Sequence, residues 1–280
     1  MTTRPEQVWS IDAEYEELYA SKVADGRAVA AEMKLAIVAI ARNSMPHMTN
    51  TFSLLNEVAH GFKQWTGYVY ENDSTDGTAE ELDRLASTLP WLNVEHAALG
   101  GIDSRGFEPE RTMRLAACRN RCLEWVRENA ADSMLTLVVD TDPHHGFSVD
   151  GVFNSVAWLA HLRSRVCAQQ AGCMASFSLG RAGNGVFGYD AWAARLNWWR
   201  DRRSEIGFGW FTNLILPAGS PPIAMNSAFG GLALYFTDAY LSGGYSGEDC
   251  EHVPHHRRMA EAGWQVFLNP GSRYIALWNP

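Results

Sequence analysis

Residues 134–142, MLTLVVDTD, run an unbroken apolar stretch rich in β-branched side chains straight into two acids, Asp140 and Asp142. A run of this length without polar alternation reads as a strand buried on both faces, as in parallel sheets covered by helices. Residues i and i+2 of an extended chain project to the same side, so both carboxylates are expected to face one ligand where the strand runs out. Oxygen donors arranged in this way suit Mn²⁺ or Mg²⁺. The same acids can instead cap the helix that follows. His144 and His145 come next, readable as an added ligand or as exposed loop residues.

Upstream, the same grammar repeats. LAIVAIA at residues 35–41 predicts a first buried strand, residues 51–62 a helix, and WTGYVYE at 65–71 a second strand. The turn at 72–77 opens a helix over 78–86, residues 94–97 fit a short third strand, and 111–129 form a long helix leading back to 134–140. Strand and helix alternate, which predicts an α/β fold, Rossmann-like, with a mainly parallel central sheet flanked by helices and a ligand at the carboxyl ends of its strands. Residues 1–33 read as an N-terminal helical extension and 34–280 as a single domain. Beyond residue 143 a helix is expected over 149–165, a strand over 173–179 and a Gly- and Trp-rich stretch over 180–210. A strand over 232–236, a helix over 250–262 and a closing strand over 265–268 before Asn269 and Pro270 complete the pattern.

Composition narrows the function. The chain has 280 residues, 46% of them hydrophobic, and a formal charge of -9, which disfavours a general nucleic-acid binder because phosphate contacts need clustered Lys and Arg. Positive charge still gathers at Arg111, Arg114, Arg119 and Arg121 and at Arg200, Arg202 and Arg203, as a basic patch or as solvated helix faces. No apolar run of membrane-spanning length and no signal peptide is visible, so a cytoplasmic protein is expected. The five cysteines lack the pairing of a zinc site and read as buried free thiols. Trp192, Trp198, Trp199 and Trp210 gather in one stretch, as core or as an aromatic platform.

Two further constellations carry chemistry. ENDSTDGT, residues 71–78, is a turn and helix start in which Asp76 and Thr78 can be explained by capping alone, leaving Glu71 or Asp73 for the base or ribose of a nucleotide. GEDCEH, residues 247–252, opens a helix. Its acids suit a helix N-terminus, and Asp249 or Glu248 can also take a proton from a hydroxyl. His252, His255 and His256 follow on nearby turns, readable as metal ligands, as diphosphate contacts or as surface histidines.

Taken in order, ENDSTDGT, VVDTD and GEDCEHVPHHRRMAEAGWQVFLNP resemble the GT-A glycosyltransferases over residues 34–272, specifically the large inverting family with its donor-site acid, Asp-x-Asp and Glu-Asp motifs. RLAACRNRCLEW, GYDAWAAR at 188–195 and NSAFGGLALY followed by CEHV resemble the fungal capsule-associated mannosyltransferase-like family. The resemblance implies a GT-A fold, with 34–143 as the nucleotide-sugar half and 144–280 as the acceptor half. It implies a hexose transferred from a nucleotide-diphosphate sugar to a hydroxyl acceptor, a glycan or another, with Mn²⁺ or Mg²⁺ offsetting charge on the leaving diphosphate. It places Arg42, Glu71 and Asp73 at the nucleotide and Arg119 near the phosphates. Asp140 and Asp142 fall at the metal, Gly230 and Gly231 beside sugar and acceptor, and Asp249 as base if configuration inverts. The closing segment YIALW, 274–278, has no histidine where many inverting enzymes carry one, so a further ligand would come from His252 or His255. The mannosyltransferase-like family implies retention, which leaves Asp249 without the base role.

Other readings use the same residues. A nucleotidyltransferase needs a Gly-rich basic loop after the first strand, and ARNSMPHMTN is not one. A viral or bacterial glycosyltransferase acting on hydroxymethylated bases of DNA would use the arginine clusters to track phosphates. A non-catalytic carbohydrate-binding protein would use the tryptophans but has no need of Asp140, Asp142 and Asp249.

Overall fold

The computed structural model describes residues 2–100, 108–164, 169–183, 185–196 and 211–279. Trp198, Trp199, Trp210, Arg200, Arg202, Arg203 and Cys167 lie outside the described residues. The first half is a four-strand parallel unit: β1 (Lys34–Ala41), β2 (Gln64–Asn72), β3 (Leu92–Ala97) and β4 (Leu135–Asp140), in the order β3-β2-β1-β4. Leu35, Ile37, Val38, Leu137 and Val139 are all buried, the two-sided burial that an unalternated apolar run demands. The helices between them are α2 (Met48–Ala59), α3 (Thr78–Thr88) and α4 (Pro109–Asn129). Right-handed crossovers put α2 and α3 on one face; the chain then reverses across β1 to reach β4, which carries α4 to the other.

The second half extends the sheet in the order β4-β8-β5-β9-β7. Its elements are α5 (Val149–Arg163), β5 (Gln170–Ala182), β6 (Gly185–Gly188), β7 (Ile223–Met225), β8 (Leu232–Phe236), a last helix (His252–Glu261) and β9 (Trp264–Asn279). β8 runs antiparallel to both β4 and β5, while β5 and β9 are parallel, so β1, β2, β3, β4, β5 and β9 point one way. The sheet is thus mostly parallel, flanked by helices. Where the sequence predicts a strand ending before Asn269, β9 continues to Asn279. Pro270 has no N–H to give a ladder, and the strand passes it by a bulge: Ser176 pairs with Asn269 and Phe177 with Arg273, leaving 270–272 out of register.

The N-terminal helix α1 (Glu16–Ala30) lies on α5. A Cβ on Gly26 would sit 1.8 Å from the Phe153 carbonyl oxygen, so the two helices meet at a distance only glycine permits. Arg27 pairs with Asp150 at 2.6 Å, Arg273 donates to the Trp9 carbonyl, and Ala218 N donates to Asp12 at 3.0 Å, tying the first 30 residues to the body. Among the described residues no helix is long and apolar enough to cross a membrane.

Candidate active site

A cavity of about 370 Å³ opens over the carboxyl ends of β1 and β4. That is where the strand order reverses, the position at which an open α/β sheet leaves a crevice between diverging connections. One wall is made by Arg42, Asn43 and Ser44 after β1, Asn72 at the end of β2, and Asp140, Thr141 and Asp142 after β4. α4 adds Arg111, Arg114, Leu115, Cys118 and Arg119, spaced i, i+3, i+4, i+7 and i+8 on one helical face. The arginines at 111, 114 and 119 are therefore cavity residues, whereas Arg121, on another face, pairs with Glu95 at 2.9 Å.

The loops on this wall are held by short side chains. Asn43 has φ of 50° and accepts from Thr75 N at 2.8 Å; Ser44 N donates to Thr78 Oγ1 at 2.8 Å; Met45 N donates to Asp76 Oδ2 at 2.9 Å. Thr141, buried between the two acids, bonds Ser44 Oγ at 2.7 Å, and its carbonyl accepts from Thr51 at 3.1 Å. Glu71 and Asp73 are turned to structural work. Glu71 is buried, accepts from Ser74 N at 2.9 Å and contacts His96 at 2.8 Å; Asp73 accepts from Leu99 N at 3.0 Å. Strand alternation that sends Asn72 toward the cavity sends Glu71 away, and Asp73, past the strand end with φ of 50°, accepts from Asn72 Nδ2 at 3.2 Å.

Asp140 and Asp142 fit a divalent cation by the chemistry of the site. Burial pushes the Asp140 carboxyl up to about 6, with Asp142 adding to the rise and Arg119 opposing it, so one guanidinium does not neutralise this strand end. Among the described residues no third histidine, cysteine or carboxylate gathers with them. Two protein carboxylates with the remaining positions left to water and phosphate oxygens is the way Mg²⁺ is commonly held.

The facing wall comes from Tyr189, Asp190 and Trp192, from Phe229 and Gly231, and from Cys250, Glu251 and His252. Gly230 and Gly231 have φ of 66° and 77°, and a Cβ on Gly231 would lie 2.4 Å from the Tyr274 ring. Only glycine fits there, and the Gly231 carbonyl accepts from Asp140 N at 2.7 Å, joining the two walls. Asp190 also has positive φ, 70°, and its Oδ2 accepts from Gly230 N at 2.7 Å. Burial pushes its carboxyl up to about 7, the Gly230 N–H opposing and Asp140 and Glu251 adding to it.

Arg119 bridges the walls. It is 5% exposed, donates from Nε to Glu251 at 2.7 Å and from Nη2 to Asp140 at 2.9 Å, and lies 4.8 Å over the Phe229 ring. His252 stacks on the other partner of that contact, 3.8 Å from Phe229, and burial with the nearby Arg119 charge holds it neutral. Among the described residues neither of its ring nitrogens has a hydrogen-bond partner, and Nε2 lies 3.5 Å from Glu251 Oε1.

Of the residues singled out in the sequence, Arg42, Arg119, Asp140, Asp142, Gly231 and His252 line the cavity. Gly230 supports it from behind. Asp249 is outside the lining, its carboxylate accepting from buried Arg195 at 3.1 Å and from Cys250 N at 2.6 Å. Glu248 is exposed and bonds Ser246. His255 lies away from the cavity, stacked 4.2 Å from Tyr245, and its Nδ1 accepts from Gly244 N at 3.0 Å. The surface reading of the three histidines is corrected: none is more than 2% exposed, because the last helix packs its histidine face under Tyr235 and Tyr245. Sequence reasoning missed Asn72, Asp190 and Glu251. Asp190 had a signal, an acid among aromatics in GYDAW, and Glu251 was the third acid of GEDCE.

No protein-family model matches the chain, and no curated protein matches it by sequence. Among solved structures, GalNAc-T7 with UDP, GalNAc and Mn²⁺ is similar at a TM-score of 0.56 and 14% identity, over 89% of this chain and 45% of that one. S. aureus TarS 1-349 in complex with UDP-GlcNAc is similar at a TM-score of 0.51 and 14% identity, over 89% of this chain and 59% of that one. The likeness is one of fold, GT-A, and this chain spans about half the length of those structures.

Proposed function

We propose that the chain is a metal-dependent glycosyltransferase that moves a hexose from a nucleoside-diphosphate sugar to a hydroxyl acceptor. The observation that carries the reading is the pair Asp140 and Asp142 at the reversal point of a GT-A sheet, in one cavity with Arg42, Arg111, Arg114 and Arg119. Asp140 and Asp142 with four guanidiniums, in a cavity of about 370 Å³ that Asp190 and Glu251 also line, are complementary to a cation and a diphosphate together. The ligands of the two similar structures, UDP with Mn²⁺ and UDP-GlcNAc, belong to that chemistry.

Residues 34–143 supply the donor wall and 144–280 the acceptor wall. Asn43 and Asn72 are placed for the base and ribose, where neutral amides both donate and accept. Arg42, Arg111 and Arg114 orient the diphosphate, and Asp140 and Asp142 would hold Mn²⁺ or Mg²⁺. Bound there, the ion would offset charge on the departing diphosphate. Gly231 gives the sugar a close backbone surface, and Tyr189 and Trp192 form an aromatic flank for the acceptor. The net charge of -9 favours a glycan or small hydroxyl acceptor over DNA.

The test is release of nucleoside diphosphate from a panel of uridine- and guanosine-diphosphate sugars, with and without Mn²⁺ or Mg²⁺. One donor is expected to be cleaved slowly, and Asp142→Ala to lower that rate by about 100-fold or more with the melting temperature unchanged, since Asp142 is exposed. A chain that neither cleaves nor binds any donor overturns the reading.

A further inference from the structure

The acid expected from sequence to serve as base is the one that the fold sets aside. Asp249 is held by a buried guanidinium and a backbone N–H and is outside the cavity lining. Asp190 lies in the lining, flanked by Tyr189 and Trp192. It keeps a left-handed backbone that costs a non-glycine residue about 1 kcal/mol, which is the conformation that brings its carboxylate to Gly230 N and the cavity. We propose that Asp190, and not Asp249, accepts the proton of the acceptor hydroxyl, an inference that rests on the glycosyltransferase reading.

In this step the hydroxyl oxygen forms the new bond to the anomeric carbon of the donor, and its proton passes to the Asp190 carboxylate. The old glycosidic bond breaks with its electron pair going to the diphosphate oxygen. One displacement inverts the anomeric configuration. Gly230 N is the hydrogen-bond donor to Asp190 among the described residues, and it engages Oδ2, which leaves Oδ1 for the acceptor. The charges facing Asp190 are Asp140 and Glu251, which raise its proton affinity as burial does, and Arg119, which lowers it.

The experiment uses the donor that the wild-type chain cleaves, with water as the acceptor, and follows the first sugar released by proton NMR. Inverted sugar is expected, and retained configuration overturns the proposal without any variant. Asp190→Asn keeps a carbonyl oxygen for Gly230 N, so folding and donor affinity should hold while turnover falls by about 100-fold or more. Asp249→Asn should stay within about fivefold of wild type, because it removes no proton acceptor from the cavity. Turnover kept in Asp190→Asn and lost in Asp249→Asn overturns the assignment. A wild type that cleaves no donor sinks the glycosyltransferase reading itself, a result distinct from cleavage with retention.

Discussion

The wall formed by β1 and β4 is regular strand up to Ala41 and Asp140, with one left-handed residue, Asn43, in the loop beyond β1, whereas the wall facing it hangs on Asp190, Gly230 and Gly231, all with positive φ. In the strands of the first wall, side-chain direction follows from a period of two, and an acid placed at the end of β4 costs no backbone strain. On the second, direction is set by loop conformations that most residues avoid, held by hydrogen bonds from elsewhere. A scaffold half and an adaptable half have been brought to one cavity, and Arg119 is the side chain that ties them through Asp140 and Glu251.

Cutting that tie should have the largest effect. Arg119→Ala leaves Glu251 buried without its cation and should cost about 3–5 kcal/mol of stability, with donor cleavage lost. Arg119→Lys, a point charge that cannot reach both carboxylates in a planar fork, should recover part of the stability. Urea unfolding of the two variants measures this. A loss below about 1 kcal/mol for the alanine variant would mean the walls stand independently.

A second, smaller effect tests the packing behind the loop wall. His255 and His256 are fully buried, and burial lowers both below the usual histidine range, His256 to about 3. His256 bonds Ser227 and Tyr235 at 2.9 and 3.0 Å, and among the described residues no carboxylate pairs with it. The folded state keeps both neutral while the unfolded chain binds protons below 6.5. These two histidines therefore contribute stability that is full above about pH 7 and is lost as the pH drops below 6.5, by roughly 1 kcal/mol per pH unit for each, while the raised carboxyls of Asp190 and Asp140 pull the other way over the same range. The wild-type urea midpoint should therefore fall relative to that of His256→Gln as the pH is lowered from 7.5 through 6.5 to 5.5. A difference that does not change with pH would show that protons reach His256 in the folded state at little cost.

The same contrast explains what was legible before the structure. MLTLVVDTD and LAIVAIA gave the first wall because burial on both faces and a period of two are local properties of a sequence. The helix face carrying Arg111, Arg114 and Arg119 follows equally from a 3.6-residue period, although which face meets the cavity does not. Asp190 and Glu251 were out of reach for a different reason. Their roles depend on Gly230 and Arg119, 40 and 132 residues away, and no local pattern reports a partner at that distance. GEDCEH showed the limit from the other side: a helix start rich in acids says that one carboxylate can face the site, and the register of the loop decides that it is Glu251.

The smallest effect sharpens the comparison from within the regular wall, at a residue that touches no part of the cavity. Asp76 accepts from Met45 N at 2.9 Å, from Thr78 N at 3.1 Å and from Thr78 Oγ1 at 2.7 Å, so one exposed carboxylate fixes both the loop after β1 and the start of α3. Asp76→Ala should cost about 1 kcal/mol, as for loss of a helix cap. Because Asn43 and Ser44 sit on the loop it holds, the donor KM should rise several-fold while kcat stays near wild type, the signature of lost ground-state positioning. If kcat fell and KM did not, the loop would be acting on the reacting bond, and the distinction between a wall that binds and a wall that reacts would fail at its simplest point.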